Sequence, residues 1–109
     1  MNEFVVVYVT VGSSEEGNRL AHALVEEKLA ACVNRIASVR SVYRWQGQVE
    51  QSDEELLIIK TKRALFDRLK TRVQELHSYL VPEIIALPIL EGNESYLKWL
   101  GEQLLGDDK

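Results

Sequence analysis

The chain is poor in cysteine and has no surplus of positive charge. Cys32 is the one cysteine among 109 residues, so no disulfide can form within a subunit, and this usage suits a reducing cytosol. Lys and Arg number 13 against 17 Asp and Glu, for a formal charge of −4. A dedicated nucleic-acid binder normally carries a basic face instead, so no nucleic-acid partner is expected. No apolar run approaches the ~20 residues that a membrane helix needs. The opening "MNEFVVVYVTVG" has an acid at Glu3 and lacks the basic n-region of a signal peptide. A Gly-rich phosphate loop, CxxC, HExxH and GxSxG are all missing, which removes the chemistries those motifs serve. The expectation is a cytoplasmic protein with no membrane insertion and no required cofactor.

What is present is ordinary globular material, 46% apolar and 28% charged, enough for one domain over residues 1–109. "FVVVYVTV" from Phe4 is β-branched and aromatic throughout and reads as a central strand buried on both faces. Ser13 and Glu16 form a capping box, with Ser13 as cap and Glu16 reaching back. Leu20, Ala23 and Leu24 follow at helical spacing. A second strand starts near Cys32, and the slip in its alternation at Ala37-Ser38 marks a bulge. Gln46-Gly47 is a turn. The return strand covers residues 49–61, and its charged first half, "EQSDEE", reads as solvent-facing. Leu65, Leu69, Val73 and Leu76 define a second helix that starts at Lys62 and ends near His77. Its Arg63, Arg68, Lys70 and Arg72 read as a solvated basic face. "PEIIALPIL" is a fourth strand, and Asn93 caps a last helix with Tyr96, Leu97, Leu100 and Leu104 on one face.

This order, βαββαβ and then α, is the α+β ferredoxin-like sandwich with a long β2-β3 hairpin and an extra C-terminal helix. Right-handed crossovers give sheet order 4-1-3-2, which places Pro88 on an edge strand where its missing donor is tolerated. The hairpin arms of about fourteen residues would reach roughly 45 Å at strand rise, against a diameter of about 34 Å for a domain of this size. The hairpin therefore bends or overhangs, and it exposes Val39, Val42, Tyr43 and Trp45. Exposed edges of that kind are usually paired, so an oligomer is expected.

The candidate functional residues are few. In "HSYLVPEIIALPI", His77 suits a helix C-terminus and Pro82 hands the chain to a strand. His77 is also one of only two histidines and a candidate metal ligand. Cys32 is a second, although free cysteine also serves as a small buried hydrophobe. Lys60 closes an apolar strand and must reach solvent or a carboxylate, with Glu50 and Glu83 as candidate partners. Tyr43, Trp45, Tyr96 and Trp99 suit an interface or a ligand pocket.

Five ordered blocks, "EEKLAACVN", "SVYRWQGQVEQ", "LLIIKT", "LHSYLVPEIIALPI" and "GNESYLKWL", together resemble the CutA family of divalent-cation tolerance proteins over residues 4–104. The resemblance implies a homotrimer of ferredoxin-like subunits joined by edge strands, similar in architecture to the P-II signalling proteins. It implies binding of divalent metal ions, Cu2+ foremost, through His77 and Cys32. In this chain Val9, Leu76 and Ser78 stand where the family pattern has a further cysteine, a further histidine and a proline. It also implies an inter-subunit pocket at Tyr43, Trp45, Glu50, Lys60, Glu83 and Trp99. Three functions follow as expectations. The first is metal binding and tolerance. The second is a P-II-like signalling module that holds a small metabolite or anion between subunits. The third, ranked behind, is an enzyme using Glu83 and Lys60, and the reading adopted is of no enzyme.

Overall fold

The computed structural model describes residues 3–106. Its elements run β1 (Phe4–Val11), α1 (Ser14–Glu26), β2 (Cys32–Trp45), β3 (Gln48–Lys62), α2 (Phe66–Leu76), β4 (Ile84–Pro88) and α3 (Glu94–Glu102), with a short 3-10 turn at Arg63–Leu65. The strands form one antiparallel sheet in the order β2-β3-β1-β4, the ferredoxin-like α+β arrangement expected from the element order. Pro88 lies on an edge strand. No helix among the described residues is long and apolar enough to cross a membrane.

The local signals hold. Ser13 accepts the Glu16 amide, and Asn93 accepts that of Ser95. Gln46 and Gly47 both have positive φ, 51° and 81°, as a type I′ hairpin turn requires. The β2–β3 register slips between Ile36 and Val39, with Ser38 at φ 65°, which is the expected bulge. Two boundaries differ from expectation. Lys62 still pairs with Phe4 in the sheet, so α2 begins only at Phe66, after the 3-10 turn. β4 ends at Pro88, although the Ile89 amide beyond it still donates to the Phe4 carbonyl at 3.0 Å, and Glu83 lies just outside the strand.

The helices α1 and α2 cover one sheet face. Val5, Val7, Val9 and Val11 of β1 pack there with Leu57 and Ile59 of β3, Leu20 and Leu24 of α1, and Leu69 and Val73 of α2. A second cluster joins Leu100 and Leu104 to Ala31 and Leu65. The opposite sheet face carries Val6, Tyr8, Ile58, Ile85 and Leu87, which the registers place side by side. In the single subunit Val6, Tyr8 and Ile58 are only half-buried, and Ile85 and Leu87 are exposed. β1 is thus fully buried on one face rather than two, because both covering helices lie on the same side. The longest dimension is 44 Å, against 26 and 22 Å. The hairpin end carries Trp45 at 57% and Val49 at 66% exposure.

Candidate functional site

The candidate residues fall at two ends of the sheet. At one end Cys32 pairs with Lys60 across β2 and β3. The Lys60 ammonium reaches Asn34 Oδ1 and lies 4.0 Å from Cys32 Sγ. It does not pair with Glu50 or Glu83; Asn34 Oδ1, on its own sheet face, accepts its N–H. Trp99 on α3 lies tilted against Tyr96, with ring centroids 5.6 Å apart. Burial first, then the nearby Cys32, pushes the Tyr96 phenol above its ordinary value.

The other end is the hairpin. Tyr43 pairs with Glu50, and Trp45 with Gln48 at the tip. Glu50 lies ten residues along β3 from Lys60, about 33 Å at strand rise. The six pocket residues therefore form two groups in one subunit, Tyr43, Trp45, Glu50 and Glu83 against Lys60 and Trp99. Only contact between the two ends of different subunits would unite them.

Tyr43 and Glu83 meet in a cleft of about 490 Å³ between the hairpin and the loop of residues 77–83, together with Ser41, Glu54, Tyr79 and Val81. Sequence reasoning missed Glu54, which sits in a charged stretch that read as solvated. Ser41 Oγ donates to one of its oxygens at 2.6 Å, and Tyr79 Oη donates to the other at 2.8 Å. Burial first, and then the bond to the Glu54 carboxylate, pushes the Tyr79 phenol up to about 12.

His77 fastens that loop. Its side chain is fully buried. Nδ1 accepts the Tyr79 N–H at 3.0 Å, which leaves Nε2–H to donate to the Thr10 carbonyl at 2.8 Å. Both ring nitrogens are thereby engaged. Thr10 and Cys32 are separated by four strand residues and two strand spacings, about 16 Å. Within one subunit His77 and Cys32 form no common metal site. Among the described residues, no three His, Cys, Asp or Glu side chains cluster as a metal ion would need.

Glu16 does not close the expected capping box. Its carboxylate turns instead to Ser78, accepting from N at 2.8 Å and from Oγ at 3.0 Å, beside His77 Nδ1 at 3.3 Å. Burial alone would raise this carboxyl. The two Ser78 bonds, His77 and the Gly12 amide outweigh it and hold the group below the ordinary 4.5. A depressed carboxyl contributes stability above its unfolded value and loses it as pH falls through the folded value. Chemical denaturation of wild type and Glu16→Gln should therefore differ most at neutral pH, and the gap should shrink below about pH 4.5. A gap that is constant with pH would mean that the Glu16 charge does no anchoring.

A model of the CutA1 divalent ion tolerance family matches residues 5–103. The divalent-cation tolerance protein CutA of Thermus thermophilus is 56% identical over 97 residues, which cover 89% of this chain and 94% of that one. The chloroplastic protein CutA of Arabidopsis thaliana is 53% identical over 96 residues, and the chain spans about half its length, 53%. The solved structure of the Thermus thermophilus divalent cation tolerance protein superposes with a TM-score of 0.91 at 53% identity, covering 93% of this chain and 98% of that one.

Proposed function

The chain belongs to the CutA family of divalent ion tolerance proteins, and from that premise we propose that it works as a cytosolic homotrimer that binds divalent metal ions, copper foremost. The observation that carries the assembly is the sheet face left uncovered by both helices, with the overhanging hairpin beside it. An apolar face with exposed edges is stabilised by pairing with other copies. Cys32 and Lys60 are cross-strand partners on that same face, so assembly would bring thiols of several subunits toward one another. Soft thiolate suits copper, and one ligand per subunit binds usefully only where subunits converge. His77 joins such a site only if the 77–83 loop opens, because its nitrogens are otherwise engaged. The reading involves no catalytic step.

Light scattering should give three times the 12.5 kDa chain mass, and a monomer mass would reject the assembly. A calorimetric copper titration should lose its binding in Cys32→Ser. Equal binding in that variant would remove the thiol from the reading.

The cleft favours a second reading, a P-II-like module that holds a small molecule between subunits. It brings Tyr43 and Glu83 together and has the volume of a small-ligand site. Its acidic lining is unsuited to an anion.

A further inference from the structure

We infer that the cleft between the hairpin and the 77–83 loop binds a small organic cation, an ammonium or guanidinium compound, through Glu54 and Glu83, with Tyr43 and Tyr79 against its apolar part. The inference rests on the second reading above, that this cleft is a ligand site, and supplies the chemical class of the ligand.

Charge separates this cleft from its neighbours. The lining includes Glu54 and Glu83 and no Lys or Arg. Surface clefts of similar size, about 500 and 400 Å³, contain Arg63 in one case and Arg68 with Arg72 in the other. Glu83 has no hydrogen bond or ion pair among the described residues. Glu54 receives two hydroxyl donors, which orient its carboxylate but bring no positive charge. Two formal negative charges thus face one cavity without a compensating cation.

Shape points to an organic cation rather than a bare ion. A divalent metal needs several oxygen or nitrogen ligands at once, and no cluster of three His, Cys, Asp or Glu exists among the described residues. The cavity of about 490 Å³ falls in the range of small-molecule pockets. Phenol rings attract an alkylammonium or guanidinium cation by their faces. The site is also held in advance of binding. Tyr79 is fixed by its amide bond to His77, by ring contact with His77 at 4.6 Å and by its hydroxyl bond to Glu54. Little ordering entropy is then lost when a ligand enters.

The test is calorimetric titration of the full chain with agmatine, which carries a guanidinium and an ammonium group, and with butyrate as an anionic control. Agmatine should bind to wild type. Glu83→Gln, an exposed change that leaves the fold intact, should weaken binding roughly tenfold to a hundredfold, as loss of a charged hydrogen-bond partner does. Glu54→Gln should weaken it as well, and butyrate should not bind. Butyrate binding without agmatine binding would leave the cleft reading standing and overturn the cation. Binding of neither would overturn both. Agmatine binding unchanged in both variants would place the ligand elsewhere and overturn the inference.

Discussion

Arg35→Ala should cost about 3 kcal/mol, the scale found when one partner of a largely buried ion pair is removed. Arg35 Nε meets Glu55 Oε2 at 2.6 Å, and the Glu55 side chain is only 5% exposed. The same guanidinium donates to the Ser14 carbonyl and hydroxyl and to Asn18 Oδ1. It therefore ties β2, β3 and the start of α1 together. Removing it leaves a carboxylate with little solvent and no cation. The Arg35 side chain is 30% exposed, so some water reaches the gap and the lower end of the usual range applies. Urea denaturation at fixed protein concentration measures the loss. Adding Glu55→Gln to Arg35→Ala should recover part of it, because the stranded charge is then gone. A loss below about 0.5 kcal/mol would class the pair with ordinary surface bridges. Gly17→Ala acts on the same pair from the other side. A Cβ there would lie 2.0 Å from Glu55 Oε2, so the carboxylate would have to leave Arg35.

That ion pair also marks the limit of what the sequence discloses. The element order, the bulge at Ala37-Ser38, the turn at Gln46-Gly47, the Asn93 cap and the edge position of Pro88 were all legible. Each depends on neighbours in the chain: a turn residue that accepts positive φ, a side chain that reaches its own helix, a missing amide hydrogen. Glu55 lay in "EQSDEE" and read as solvated, but alternation along β3 turns it inward while Glu54 faces the cleft. Its partner is 20 residues away, and no periodicity links the two. The Glu16–Ser78 contact spans 62 residues and is hidden in the same way. One signal was available. Gly17 stands inside an otherwise regular helix, where glycine costs about 1 kcal/mol relative to alanine, and such a residue points to something packed against the backbone. The split of the pocket residues into two ends was invisible for a different reason. Sequence position along a hairpin says which residues share an arm, but the 33 Å or so between Glu50 and Lys60 becomes plain only once the register is known.

His77→Ala should destabilise the subunit by about 2–4 kcal/mol, since it deletes a buried ring and strands two backbone groups. The Thr10 carbonyl loses its donor, and the Tyr79 amide loses its acceptor. Tyr79 also loses the ring against which it packs, so the cleft wall should loosen with the loop. Backbone amide exchange of residues 77–83 should accelerate in the variant, and the denaturation midpoint should fall. Copper titration then separates the two roles open to this histidine. With both nitrogens engaged inside the subunit, His77→Ala should keep the copper stoichiometry of wild type while Cys32→Ser loses it. Binding lost in both variants, with the trimer mass retained, would mean that the loop opens and the imidazole turns outward to the metal. That movement has a definite energetic requirement. It exchanges two buried hydrogen bonds for one metal–nitrogen bond, so copper would have to bind the opened form tightly enough to offset both. Faster exchange of residues 77–83 in copper-loaded wild type would be the signature of that opened form, and slower or unchanged exchange would keep His77 as the anchor of the cleft.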